Sequence, residues 1–137
     1  MYLLDTNVVS ELRRARPHGA VLAWIHSVSE SDLRISAMTL GEIQAGIELT
    51  REQDAAKAEE IERWADAVCA SYDVLTMDAE TFRIWARLMH RRSDTLYEDA
   101  MIAATAKRHR LTVVTRNVGD FSGFDVALLN PFEPVSS

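Results

Sequence analysis

Residues 2 to 12 read Tyr2-Leu3-Leu4-Asp5-Thr6-Asn7-Val8-Val9-Ser10-Glu11-Leu12. The apolar run at residues 2–4 predicts a short buried strand, and the spacing of Val8, Val9 and Leu12 predicts a helix that begins soon after it. Asp5 therefore stands at the carboxyl end of a strand, which is where ligands bind in open parallel α/β sheets. A carboxylate there can also simply cap the helix, and for Asp5 taken alone capping is the simpler interpretation.

The composition is that of one soluble globular domain spanning residues 1–137. Of the 137 residues, 47% are hydrophobic and 26% are charged, which suits a single core. No apolar run reaches membrane-spanning length, so we expect a cytoplasmic protein that does not bind membranes. Cys69 is the only cysteine. An internal disulfide is therefore excluded, no paired Cys/His spacing indicates a zinc site, and Cys69 is expected to be a buried small residue.

The charge pattern argues against a protein that holds nucleic acid by bulk positive charge, because the net charge is −6. A nuclease is not excluded. The basic residues include three groups at predicted helix ends, where they also complement the helix dipole. These groups are Arg13, Arg14, Arg16 and His18; Arg87, His90, Arg91 and Arg92; and Lys107, Arg108, His109 and Arg110.

Strand and helix patterns alternate along the rest of the chain, which predicts a parallel sheet with helices on both faces. The predicted strands are residues 33–35, 73–77, 111–115 and 126–129. The predicted helices are residues 18–28, a helix capped by Ser36, a long helix over 51–72, a helix capped by Asp78 that reaches Arg91 and Arg92, and a helix that starts near Thr95. The aromatic residues of the helix capped by Asp78 are expected in the core, and residues 130–137 are expected to be a loose tail.

Three further acids occupy positions comparable to that of Asp5. Glu42 lies about two turns inside the Ser36 helix, on a face with Thr39, Ala45, Gly46 and Leu49 that we expect to pack closely on the sheet. Asp99 begins a face of small residues, Ile102, Ala103 and Ala106, whereas Glu98 is explained by a capping box with Thr95. Asp120 follows the strand at 111–115. A solvated Glu42 paired with Arg51, and an Asp120 that completes a cap begun by Asn117, are the competing interpretations.

Four ionised carboxylates cannot share a site without cations, because like charges a few ångströms apart raise one another's pKa. If the fold gathers Asp5, Glu42, Asp99 and Asp120 at one edge of the sheet, the cation that fits is Mg²⁺, with Mn²⁺ as its substitute. Such a site can activate water and neutralise a phosphodiester, so phosphodiester hydrolysis is the expected chemistry. Thr6, Asn7, Thr39, Thr115 and Asn117 would orient the carboxylates and bound waters.

Together these motifs resemble the PIN-domain ribonucleases, and within them the VapC toxins and the similar FitB type. The resemblance rests on Leu-Leu-Asp5-Thr6-Asn7, Ser36-x-x-Thr39-x-x-Glu42, Glu98-Asp99-Ala100-x-Ile102-Ala103-Ala104-x-Ala106 and Thr115-Arg116-Asn117-x-x-Asp120-Phe121, in order along nearly the whole chain.

The resemblance implies a Rossmann-like α/β/α PIN fold and Mg²⁺- or Mn²⁺-dependent cleavage of RNA by Asp5, Glu42, Asp99 and Asp120. In some relatives an acid stands at the place of Asn117 instead of Asp120. The family also implies a homodimer with two active sites facing a shared groove and a VapB- or FitA-like antitoxin partner. DNA would be bound only indirectly, through the antitoxin.

Two other functions remain open. One is a catalytically silent PIN subunit that contributes mainly to a DNA-bound repressor complex, which the presence of all four acids disfavours. The other is a different magnesium-dependent hydrolase such as a phosphatase. Phosphatases with an aspartyl nucleophile often have a second Asp two residues after the first, where this chain has Asn7.

Overall fold

A central sheet of five parallel strands organises the chain in a computed structural model, which describes residues 1–134. The strands are β1 (Tyr2–Leu4), β2 (Leu33–Ser36), β3 (Asp73–Leu75), β4 (Thr112–Val114) and β5 (Leu128–Leu129). Their order is β3-β2-β1-β4-β5, and every neighbouring pair is parallel. The predicted α/β/α architecture with a parallel sheet is confirmed. β1 has its predicted bounds and β2 ends one residue later than predicted. The other three strands are shorter than predicted.

Seven α-helices of the described chain cover the two faces of the sheet. They are α1 (Thr6–Arg13), α2 (Gly19–Ser27), α3 (Ala37–Gln53), α4 (Ala55–Ser71), α5 (Ala79–Met89), α6 (Tyr97–His109) and α7 (Val118–Phe121). Successive strand side chains point to opposite faces, so Leu4 joins a core with residues of α1–α4, and Leu3 joins a second core with residues of α6 and α7.

The strand order places a crevice between the ends of β1 and β4. From β1 the chain proceeds outward through β2 and β3 on one side, and then returns to β4 on the other side. Leu4 of β1 is level with Val114 of β4, so Asp5 and Thr115 are the first residues beyond the two strands. This reversal point, at the carboxyl ends of the strands, is the usual ligand-binding position in such folds.

The predicted helix over 51–72 is wrong at its start. α3 runs on to Gln53, and Asp54 is the C-cap of α3 and the N-cap of α4, where its carboxylate accepts from the backbone N–H of Lys57 at 3.0 Å. An Asp can end one helix and begin another because its side chain replaces the missing backbone acceptor. Helical periodicity on both sides concealed this break in the sequence.

The start of α6 also differs from the prediction. Ser93, and not Thr95, accepts a backbone hydrogen bond, from the N–H of Thr95 at 3.3 Å, and a 3-10 turn from Asp94 to Leu96 precedes the helix. The residue before α6 is Leu96, which makes no side-chain cap. The capping box assigned to Thr95 and Glu98 is therefore absent.

Three predictions of burial are corrected. Cys69 is exposed on α4, so it is not a core residue. Phe82 of α5 is 46% exposed, although the aromatic residues of this helix were expected in the core. Within the predicted tail, Phe132 is buried against the first core, while residues 135–137 lie outside the described residues.

Within residues 1–134, none of the helices has the length and apolar character needed to cross a membrane.

Candidate active site

Asp5 lies at the centre of the crevice between β1 and β4. Its side chain is only 4% exposed. The Oδ1 atom accepts from the backbone N–H of Thr6 at 2.8 Å, so Asp5 does cap α1. The Oδ2 atom accepts from Thr115 Oγ1 at 2.7 Å and from Asn7 Nδ2 at 3.1 Å. Capping therefore uses one oxygen, and the polar residues predicted to orient the carboxylate hold the other.

Thr115 connects the two strand ends through its hydroxyl, and its side chain is fully buried. While Oγ1 donates to Asp5, it accepts from the backbone N–H of Asn117 at 3.0 Å and lies 3.3 Å from Asn7 Nδ2. Asn7 Oδ1 in turn accepts from the backbone N–H of Arg116 at 3.2 Å. The loop after β4 is thus fixed to the start of α1 around Asp5.

Asn117 precedes α7 but does not cap it with its side chain. The capping interpretation of Asp120 is therefore not supported. Asp120 is exposed, and its negative charge raises the pKa of both Asp5 and Asp99. Asp120 and Asn117 were the two candidates for the fourth residue of the acidic site. Asp120 contributes a negative charge near Asp5 and Asp99, whereas Asn117 contributes its backbone N–H, which donates to Thr115.

Glu42 is held by Thr6 and does not pair with Arg51. Thr6 Oγ1 donates to Glu42 Oε1 at 3.0 Å and also contacts the buried Thr39 Oγ1 at 3.1 Å. Arg51 binds Glu48 and Glu62 instead. The predicted packing face of α3 is corrected, because Thr39, Ile43 and Ile47 are its buried residues, whereas Ala45, Gly46 and Leu49 are exposed.

Burial and mutual repulsion raise the pKa of three acids. For Asp99, burial comes first, followed by the charges of Asp5, Asp120 and Glu98, and its pKa rises to about 6. Burial is also the largest cause for Asp5 and Glu42, opposed by the hydrogen bonds from Thr115 and Thr6 respectively. Besides burial, the charges of these acids therefore oppose one another's ionisation.

Glu98 belongs to this cluster, although sequence reasoning missed it. Its charge raises the pKa of both Glu42 and Asp99. The signal was present, since Glu98 directly precedes Asp99, but the capping-box pattern offered a sufficient alternative. The predicted face of α6 is correct, because Ile102, Ala103 and Ala106 are all buried.

The carboxylates of the site suit a hard cation such as Mg²⁺ that keeps part of its water shell. In the described part of the chain, no three Asp, Glu, His or Cys side chains gather closely enough to hold a metal ion by themselves. Mg²⁺ does not require that, because it keeps several waters and usually takes one or two carboxylates together with substrate phosphate. The candidates for those carboxylates are Asp5, with one oxygen fixed by Thr115 and Asn7, and Asp99, whose pKa is raised by the charge of Asp5.

Comparison with known proteins gives one family. The model of the PIN domain matches residues 2–125. Over 140 residues the chain is 36% identical to the toxin FitB of Neisseria gonorrhoeae, covering 96% of this chain and 99% of the relative. It is 34% identical over 145 residues to the VapC ribonuclease Y4jK of Sinorhizobium fredii, covering 98% of this chain and 99% of the relative.

A solved structure agrees with the sequence comparison. A chain in the structure of FitAB bound to an IR36 DNA fragment is 33% identical to this chain and has a TM-score of 0.87 over 99% of both chains. In the FitAcB complex from Neisseria gonorrhoeae, the matching chain is 36% identical, with a TM-score of 0.84 over 96% of this chain and 99% of that one.

Proposed function

This chain belongs to the PIN-domain family, and we propose that it is the toxin of a toxin–antitoxin pair and acts as a metal-dependent endoribonuclease. The observation that carries the proposal is the buried carboxylate of Asp5 at the reversal point of the sheet, which Thr115 and Asn7 hold by hydrogen bonds and whose charge raises the pKa of Glu42 and Asp99. Ribonuclease activity is consistent with the name of the VapC relative. The substrate is RNA, and the bond hydrolysed is a phosphodiester.

Asp5 and Asp99 would hold Mg²⁺ or Mn²⁺, with Glu42 and Asp120 close to the bound waters. Such an ion would offset the repulsion among the carboxylates, neutralise the phosphodiester and lower the pKa of a water molecule. The protein's own contribution is orientation. Thr115 and Asn7 fix Oδ2 of Asp5, and Thr6 fixes Glu42, so these carboxylates keep their positions whether or not a substrate is bound.

An antitoxin of the VapB or FitA type is the proposed partner. Complexes named FitAB, FitAcB and VapBC are among the structures similar to this chain. An acidic pocket on a protein of net charge −6 suits an antitoxin segment that carries Arg or Lys, because a guanidinium can form paired hydrogen bonds with a carboxylate. Contact with DNA would then pass through the antitoxin.

A homodimer is also part of the proposal, and the surface that supports it lies at Phe82 of α5, an aromatic side chain that is 46% exposed. Phe82 and Met89 lie on one side of this helix with Trp85, which stacks on Tyr97 at a centroid distance of 5.2 Å. Only Thr81 of α5 is fully buried.

A second candidate is a silent subunit that acts in a DNA-bound complex. The observation that favours it is the likeness to FitAB on a DNA fragment. A silent subunit would not need Mg²⁺, so calorimetry with Mn²⁺ on the isolated chain separates the two candidates. Binding that disappears in Asp5→Asn supports the nuclease.

The deciding experiment compares RNA cleavage by the wild-type chain with that of Asp5→Asn and Asp99→Asn, with and without Mg²⁺. Both substitutions should abolish magnesium-dependent cleavage. The matched control is Asp66→Asn, because Asp66 is exposed on α4 and its replacement removes the same charge. Undiminished cleavage by both variants would refute the proposal, and hydrolysis of a phosphomonoester in place of RNA would indicate a phosphatase.

A further inference from the structure

A groove of about 240 Å³ runs between α1, α3 and α4 beside the acidic cluster. Thr6 and Glu42 form its end at the acids. Farther along are the hydroxyl groups of Ser10 and Thr50 and the guanidinium of Arg13. Thr6, Ser10 and Arg13 are spaced by four and three residues, so they follow one side of α1.

Arg13 ends α1 and lies at the far end of this groove. Its Cζ atom lies 6.0 Å from the centroid of the Trp64 ring, within the range of a cation–π contact. In residues 1–134, no carboxylate lies within ion-pair distance of Arg13, whereas its neighbour Arg14 pairs with Glu11 at 3.4 Å. The donors of Arg13 are therefore available to a ligand.

Several other cations from the three basic groups of the sequence already have partners. Arg92 donates to the carbonyl oxygen of Gly123. Lys107 donates to the carbonyl oxygens of Phe124 and Asp125, at 3.2 and 3.0 Å. Arg108 lies 3.7 Å from Asp78. Among these cations, Arg13 is the one that lines a groove together with a member of the acidic cluster.

We propose that Arg13 binds a phosphate of the RNA strand next to the phosphodiester at the acids, with Ser10 donating to the same stretch of backbone. This inference rests on the proposed ribonuclease function. The acids repel an RNA backbone, so a strand that reaches them needs a cation nearby. A guanidinium suits this role because its planar group of donors matches phosphate oxygens.

The distance along α1 indicates which phosphate is bound. From Thr6 to Arg13 the helix rises by about 10 Å at 1.5 Å per residue. Arg13 is therefore too far from Glu42 to share the reacting phosphate, and it contacts a neighbouring one. Its role is to position the strand, so its loss should weaken RNA binding more than it slows the chemical step.

The test measures binding of a short, labelled, single-stranded RNA of mixed sequence by fluorescence anisotropy. The Asp99→Asn chain is used so that the RNA stays intact, and Arg13→Ala is compared with Arg13→Lys in that background. Loss of one phosphate contact should reduce the slope of log affinity against log salt by about 0.7. Affinity at low salt should fall roughly tenfold in Arg13→Ala. Arg13→Lys keeps the charge, so its RNA affinity should lie between that of the chain with Arg13 and that of Arg13→Ala.

The matched control is Arg63→Ala. Arg63 lies on the exposed side of α4 and pairs only loosely with Glu59, at 3.9 Å. Its removal costs the same unit of charge outside the groove, and it should leave the salt slope unchanged. In chains with an intact acidic cluster, Arg13→Ala should raise KM for RNA cleavage while kcat stays within about twofold. This pattern is expected when a contact stabilises the bound substrate and the transition state equally.

The outcomes separate this inference from the proposed function. Equal salt slopes for Arg13→Ala and Arg63→Ala would overturn the phosphate contact even if the wild-type chain cuts RNA. If the wild-type chain cuts no RNA, the proposed function fails, and the binding slopes still decide whether Arg13 contacts phosphate. An Arg13→Ala chain that binds RNA normally but loses an antitoxin would also overturn the inference and assign the groove to that partner.

Discussion

Thr115 donates a hydrogen bond of 2.7 Å to the Oδ2 atom of Asp5, across 110 positions of sequence. The bond is buried and lies beyond the ends of two adjacent strands, where it joins the helix start after β1 to the loop after β4. Because the same hydroxyl accepts from the backbone N–H of Asn117, one side chain fixes both the candidate metal ligand and the segment that carries Asp120.

Replacing Thr115 by Val should therefore impair both activity and stability. Loss of a residue that orients a metal ligand typically lowers activity by about 10- to 100-fold. The N–H of Asn117 loses its acceptor, which should lower the free energy of unfolding by about 1–3 kcal/mol. RNA cleavage rates and urea unfolding measure the two effects. Thr115→Ser keeps the hydroxyl and should retain most of both, and a Val variant with wild-type cleavage would contradict this role.

The pH dependence of stability should follow the ionisation of Asp99. The ordinary pKa of 3.8 applies to the unfolded chain, and the value in the fold is about 6. Between these values the folded chain holds more protons, so the free energy of unfolding falls as pH rises through this window when no metal ion is present. Asp5 and Glu42, whose pKa values are also raised, act in the same direction.

Urea unfolding at about pH 4.5 and about pH 7 measures this effect over most of that window. A chelator is present in both experiments. Asp99→Asn should show a smaller loss of stability between the two conditions. Acids whose pKa is lowered, such as Asp78, act in the opposite direction but equally in both proteins. Adding Mg²⁺ at pH 7 should stabilise the wild-type chain more than Asp99→Asn, and equal stabilisation would contradict ligation by Asp99.

The exposed side chain of Phe82 on α5 predicts an effect on dimer formation. Phe82 is 46% exposed and touches the edge of Trp85, with ring centroids 6.3 Å apart. Phe82→Glu should convert the proposed homodimer to a monomer in analytical ultracentrifugation, because two carboxylates would be buried near the twofold axis. Cys69→Ser is the control, since Cys69 is exposed on α4. A dimer that persists in Phe82→Glu would place the interface elsewhere.

Glu11 is a buried acid that serves the fold and not the active site. Its side chain is 7% exposed and accepts from the backbone N–H of His18 at 3.1 Å, which holds the connection between α1 and α2. Glu11→Ala leaves that N–H without its acceptor and should lower the free energy of unfolding by about 1–3 kcal/mol. Glu11→Gln retains an acceptor and should lose less in the same urea experiment, and an equal loss would contradict the hydrogen-bond explanation.

Sequence reasoning predicted the parallel sheet and the two strand ends at its centre because local patterns specify them. The apolar runs at β1 and β4 end at Asp5 and Thr115, and a parallel sheet brings such ends together whatever the intervening loops do. The polar residues around Asp5 were expected for the same reason. Which of them bonds to which oxygen depends on side-chain orientation, and that is determined only by the packed structure.

The errors arose where one segment fits two local patterns. On α3, counting from Glu42 gave Ala45, Gly46 and Leu49 as the inner face, but the branched side chains of Ile43 and Ile47 bury more area and determine the orientation of the helix. At Thr95 a capping-box pattern was present without a cap. Arg13 was one of several basic residues until its position beside Trp64, in a groove that Glu42 also lines, distinguished it.

The register of β1 against β4 has a consequence for synthesis of the chain. Leu4 is made at the start of translation, and its partner Val114 is made near the end. A growing chain therefore lacks the hydroxyl of Thr115 and the carboxylate of Asp120 until most of it has left the ribosome. A site built in this way is incomplete while the chain is being made, and it forms only when the segment that contains β4 pairs with the first strand.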